Sequence, residues 1–160
     1  MYKEQIRNEL IKRCQRVIKF IEEFLFKRAK NDEAIVFYIK MKADYNKYIA
    51  ESFEGNIKKQ ATDISLKAYE EAMKKSKCLP ILNPIRLGLH LNYSVFYYEI
   101  LDDHKKAIDI TKNIISEADK ELLNIDEDDD ENRDTVSIYN LIKENLDMWE
   151  EEENYNEYII

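Results

Sequence analysis

Apolar positions recur every three or four residues along most of the chain, which is the spacing of amphipathic helices. The first stretch, about 2–30, carries the stripe Ile6, Leu10, Cys14, Val17, Ile18, Ile21, Phe24 and Leu25, with Arg7, Lys12, Arg13, Arg16, Lys19 and Lys27 on the other face. A second helix is predicted over about 33–53, with Asp32 as its N-cap and Gly55 marking its end. A third spans about 57–78 and stops before Leu79-Pro80. The fourth starts with Asn83 as N-cap and Pro84 at the first helical position, where the missing N–H costs nothing. It reads PIRLGLHLNYSVFYYEIL, apolar nearly all round, and is expected at the buried centre of the fold. Asp102 and Asp103 end it and cap a fifth helix, about 104–124, with the core stripe Ile108, Ile110, Ile114, Ile115 and Leu122. A sixth covers about 133–150. Short connections between long helices imply antiparallel neighbours. The predicted fold class is therefore all-α, an array of about six antiparallel helices, and such arrays commonly curve and expose a concave face.

Composition narrows this further. A chain of 160 residues is expected to form one domain. Two glycines and two prolines are too few for the turns of an all-β fold, and no glycine-rich phosphate loop occurs. Cys14 and Cys78 form no disulfide framework and are expected to pack as small apolar groups. No apolar run approaches the roughly 20 residues of a membrane span, and the start, Met1-Tyr2-Lys3-Glu4, is unlike a signal peptide. The expected setting is cytoplasmic, with no membrane partner.

The net charge is −8, but it is concentrated. Asp126 to Glu131 and Glu150 to Glu153 are runs of uninterrupted acids, and the rest of the chain is slightly positive. Nucleic acid is not an expected partner, because no broad cationic surface is available to displace counterions. Residues 151–160 read as an acidic flexible tail, in which Tyr155, Tyr158, Ile159 and Ile160 are apolar enough to occupy a groove of the same chain.

Three groups of residues bear on chemistry. Lys40, Asp44, Lys47, Tyr48 and Glu51 follow steps of three, four and seven and share one face of the second helix. Two ammonium groups beside a phenol can hold an oxyanion, and Asp44 can orient the lysines. The same face also reads as an ordinary solvated one. On the fourth helix, Asn92 and Glu99 lie seven apart in an apolar setting; on the sixth, Asn145 precedes Trp149 by four. Asparagine amides match both the donor and the acceptor of a peptide unit, and the indole adds one N–H. Together they read as a clamp for extended backbone, with Leu91, Val95, Leu141 and Met148 as an apolar wall. Core asparagines bonded to helix ends are the competing reading. No catalytic constellation stands out. His90 lies in an apolar helix, and no HExxH, CxxC pair or GxSxG is present. The acidic run lacks EF-hand spacing. Neither a catalytic residue, a metal nor a cofactor is expected.

The stretch Asn83 to Leu101 resembles the signature helix of 14-3-3 proteins. Phe37 to Tyr45 resembles an earlier helix of that family, and Asn145 to Trp149 its last helix, in the same order and spacing over about residues 3–150. The resemblance implies a non-enzymatic adaptor that holds phosphoserine or phosphothreonine peptides in an amphipathic groove between the second, fourth and sixth helices. Under it, Lys40, Lys47 and Tyr48 hold the phosphate, Lys47 standing where the family has an arginine. Asn92, Glu99, Asn145 and Trp149 hold peptide backbone, and Leu91, Val95, Leu141 and Met148 form the wall. The family has nine helices, and this chain resembles the last six. Residues 1–150 thus read as a 14-3-3-like domain lacking three helices, which normally supply the dimer contact and two further phosphate cations. Expected partners are phosphorylated protein segments, with self-association or pairing with a full-length relative. The alternative is a 14-3-3-like interaction module that has lost phosphate reading.

Overall fold

The computed structural model describes residues 1–159, with side chains described through Asn156. Six helices account for the fold, and no strand occurs among the described residues. Helix α1 (Tyr2–Phe20) continues through a π turn (Ile21–Leu25) into a last α turn (Phe26–Arg28). The others are α2 (Asp32–Ser52), α3 (Gly55–Lys75), α4 (Pro84–Glu99), α5 (His104–Leu122) and α6 (Arg133–Ile159). Short 3-10 turns follow α3 (Ser76–Cys78) and precede α6 (Asp130–Asn132).

The helix starts follow local chemistry. Asn83 Oδ1 accepts from Ile85 N at 2.9 Å and Arg86 N at 3.2 Å, with Pro84 opening α4. Asp103 accepts from Lys106 N at 3.0 Å and caps α5. The cap of α2 is Asn31, not Asp32: Asn31 has extended backbone and accepts from Ala34 N at 2.8 Å. Asp32 is the first helical residue, where a carboxylate still complements the positive end of the helix. Gly55 does not close α2, which gives way at Phe53; it opens α3 with φ 63°, a left-handed geometry that side chains resist.

The chain divides into two compact units, Met1–Leu79 and Pro80–Ile160. In the first, α2 packs on both α1 and α3. Ala43 and Ala50 on α2 and Ala61, Ala68 and Ala72 on α3 are buried, and such small side chains let two helices approach closely. Ser65 Oγ donates to the Ala43 carbonyl at 2.8 Å across that contact.

In the second unit, α4, α5 and α6 pack pairwise. Leu87, Ile114 and Ile142 form one buried cluster, with Ile81, Leu91, Ile115 and Ile138 against it. Ala118, Leu122 and Tyr139 form another. The buried stripe of α5 is Ala107, Thr111, Ile114, Ala118 and Leu122, so Ile108, Ile110 and Ile115 flank it as half-buried residues. The expected tail is also helical: α6 runs on past residue 150 to Ile159. Its carboxylates find donors, with Lys112 Nζ 2.5 Å from Glu150, Tyr98 donating to Glu152, and His104 Nδ1 2.8 Å from Glu153. Tyr155 is exposed, and the side chains of Tyr158, Ile159 and Ile160 lie outside the described residues.

Candidate functional site

The first unit brings Lys40, Asp44, Lys47, Tyr48 and Glu51 onto one face of α2. Lys40 Nζ lies 2.7 Å from Asp44 Oδ2, while the hydroxyl of Tyr69 on α3 donates to Asp44 Oδ1 at 2.5 Å. Asp44 is buried, and a buried carboxylate needs such partners. Burial first, and Asp44 second, push the Tyr69 hydroxyl far above its ordinary pKa, so it stays a donor. Lys47 is only 8% exposed; its Nζ is 3.6 Å from Glu51 Oε1 and 5.4 Å from the centre of the Tyr48 ring. The aromatic ring and the packed stem hold this ammonium in one place. Tyr48 is 41% exposed, and its hydroxyl pKa is raised by partial burial and then by Asp44 and Glu51. It therefore keeps its proton at neutral pH and can donate to an anion.

The two lysines differ in how they are held. Asp44 is fixed from two sides and buried, so the Lys40 charge is tightly matched. Glu51 is exposed, and its distance to Lys47 is beyond a good charge-assisted hydrogen bond. An incoming dianion competes more easily for Lys47 than for Lys40.

In the second unit, Leu91, Asn92 and Val95 on α4 are half-buried and Glu99 is exposed. Leu91 also packs against the Leu87 cluster. On α6, Leu141 and Met148 are nearly half exposed and Asn145 is half-buried, at steps of four and three on one face. Trp149 is placed differently from its expected role beside Asn145. It is 2% exposed and stacks on Tyr98, with ring centres 4.5 Å apart. Tyr98 stacks in turn on His104 at 4.0 Å, making a series of three rings. The indole thus lies inside this unit, next to the face that carries Asn145.

Tyr69, Tyr98 and His104 escaped the sequence reading. Tyr69 was the most legible, since it falls in the buried stripe Ala61, Ser65, Ala68, Ala72 of α3, and a phenol there needs a partner. Tyr98 meets Trp149, and His104 meets Glu153, only through tertiary packing.

The 14-3-3 protein family model matches residues 1–150. The chain belongs to the 14-3-3 family. It is 41% identical over 149 residues to 14-3-3 protein 8 of Solanum lycopersicum, covering 92% of this chain and 56% of that protein. It is 43% identical over the same length to 14-3-3-like protein B of Vicia faba, again covering 92% and 56%. Against the checkpoint signal transducer rad25 of Schizosaccharomyces pombe it is 40% identical over 157 residues, covering 98% of this chain and 57% of rad25. The chain therefore spans just over half the length of these 14-3-3 relatives.

Proposed function

We propose that this 14-3-3 chain is a non-enzymatic adaptor that holds phosphoserine or phosphothreonine segments of other proteins. The observation that carries the reading is the Lys47–Tyr48 pair on α2. A nearly buried ammonium, fixed over an aromatic ring and beside a protonated phenol, offers charge and a directional donor at one place. Lys40 adds a second cation on the same face, anchored by Asp44. Lysine meets phosphate as a point charge rather than through a bidentate fork, so Tyr48 supplies the direction.

The second unit supplies the peptide contacts. Asn92 and Asn145 pair with peptide backbone, Glu99 accepts from it at the open end of α4, and Leu91, Val95, Leu141 and Met148 give apolar surface. Trp149 backs Asn145 from inside the unit.

The test is a fluorescence anisotropy titration of the whole chain with a phosphoserine peptide and its unphosphorylated twin. The expected result is at least about tenfold preference for the phosphopeptide, the worth of one charge-assisted contact. That preference shrinks as salt rises, because the phosphate term is screened. Equal affinity for both peptides at low salt rejects the phosphate reading, leaving an interaction module that works through phosphate-independent contacts.

A further inference from the structure

The face of α2 opposite Lys40, Asp44 and Lys47 floors a separate cleft within the first unit. Lys42, Asn46 and Ile49 form its floor, and α1 and α3 form its walls. Its volume is about 630 Å³, in the range of sites that accept apolar groups of a ligand. The apolar lining is Ile11 and Ile18 from α1, Ile49 from α2, and Ile57, Ala61 and Ile64 from α3. Ile57 and Ile64 are 43% and 45% exposed, high values for isoleucines on a concave surface. At one end the Glu22–Lys42 ion pair, 2.6 Å, ties the π turn after α1 to α2.

The α1 border of this cleft is rich in cations, with Lys42 of the floor paired to Glu22 and Lys19 standing 3.7 Å from Glu23. The first unit holds 18 Lys and Arg against 12 Asp and Glu, although the chain as a whole is −8. On α1, Lys12 follows the lining residue Ile11, Arg16 follows the lining residue Gln15, and Lys19 lines the cleft itself. These three exposed cations at steps of four and three form a row about 10 Å long, at 1.5 Å per residue. The α1 wall runs from Ile11 to Glu22, about three turns of helix.

We propose that this cleft docks an acidic amphipathic helix of a partner protein. Apolar residues at i, i+3, i+4 and i+7 enter between α1 and α3, and a row of carboxylates on one flank lies along Lys12, Arg16 and Lys19. The row of cations selects this occupant over a single-headed amphiphile. One carboxylate needs cations gathered at one point, whereas these are strung along about two turns. Because α2 presents the cleft and Lys47 on opposite faces, the helix and a phosphopeptide bind without sharing a residue.

The probe is a capped, fluorescein-labelled peptide of about fourteen residues with leucines at i, i+3, i+4 and i+7 and glutamates along one flank. Its control carries lysines in place of the glutamates. The whole chain is expected to bind the acidic peptide at least tenfold more tightly than the basic one, and unlabelled phosphoserine peptide is expected not to compete. Ile64→Asp, at a half-exposed position, is expected to weaken the acidic peptide at least tenfold with an unchanged melting temperature. Lys12→Glu combined with Arg16→Glu touches no apolar lining residue, so it remains informative if Ile64→Asp misfolds; it is expected to remove the preference for the acidic peptide. Equal binding of the two peptides, indifference to both variants, or competition by the phosphopeptide overturns the proposal. Displacement of the acidic peptide by equimolar sodium laurate also overturns it, reassigning the cleft to a free amphiphile.

Discussion

At the scale of single residues, the phosphate face turns on how each cation is compensated. Lys40 and Asp44 form a matched pair that Tyr69 stabilises, whereas Lys47 is held by a ring and a distant, exposed carboxylate. Lys47→Glu is therefore expected to weaken a phosphopeptide by at least about tenfold and its unphosphorylated twin much less. Glu51→Gln removes the competing carboxylate and is expected to strengthen the phosphopeptide by up to about 1 kcal/mol, the scale of a solvated ion pair. Asn145→Ala is expected to weaken both peptides alike, since an amide that pairs with backbone does not sense phosphate. Anisotropy titrations of both peptides check all three, and phospho-selective loss in Asn145→Ala contradicts the backbone role.

His90 gives a residue-scale prediction about stability. Its Nδ1 is buried without a hydrogen-bond partner among the described residues. Burial first, and the Arg86 cation second, push its pKa down to about 4 from an ordinary 6.5. The unfolded chain therefore binds the extra proton between those values, and folding stability falls as pH drops through that window. The shift corresponds to about 3 kcal/mol, present in full above pH 6.5 and lost by about pH 4. His90→Phe puts a ring that does not titrate in the same place and is expected to flatten this part of the stability–pH curve. Denaturant melts at several pH values measure it, and an unchanged slope rejects the assignment.

At the scale of elements, α6 reaches Ile159 because its last turns are tied to α4 and α5. The series His104, Tyr98, Trp149 provides the apolar part, and Glu150, Glu152 and Glu153 provide the polar part. Four consecutive glutamates repel one another and sit unfavourably near a helix C-terminus, so this end needs outside support. Tyr98→Ala is expected to raise hydrogen exchange in residues 150–159 at least tenfold while the amides around Leu87 stay protected. Tyr98→Phe keeps the ring contacts and loses only the bond to Glu152, so it is expected to give a smaller increase. Equal exchange in all three proteins shows that the stack does not hold the last turns.

At the scale of the whole molecule, charge and apolar surface are unevenly distributed. The unit Met1–Leu79 carries a formal +6 and the unit Pro80–Ile160 a formal −14. The first unit also exposes Ile6, Phe20, Phe24 and Phe37, each more than 40% exposed, with Phe20 and Phe24 stacked at 5.3 Å. Ile6, Phe20 and Phe24 lie along α1 and the π turn that continues it, and exposed apolar groups gathered in this way mark an association surface. The chain is expected to sediment partly as dimers or larger species at micromolar concentration, and Phe20→Ser with Phe24→Ser to shift it towards monomer. Sedimentation velocity decides, and monomer at all concentrations removes this surface from consideration.

Periodicity by itself determined the six helices, because an apolar residue every three or four positions admits no other regular structure, and two glycines leave few places to break. It also determined the starts of α4 and α5, whose caps depend only on neighbours along the chain. The shared face of Lys40, Asp44, Lys47 and Tyr48 was legible for the same reason, since helical spacing alone aligns them. The cap of α2 moved by one residue, from Asp32 to Asn31, because two adjacent capping residues compete and spacing does not choose between them. What only the tertiary structure decided involves partners far apart in sequence. Tyr69 reaches Asp44 across 25 positions, Tyr98 reaches Glu152 across 54, and Trp149 turns inward onto Tyr98. Burial makes those contacts matter: removed from water, a phenol, a carboxylate or an indole must find its complement, and only the packing of one helix on another places that complement within reach.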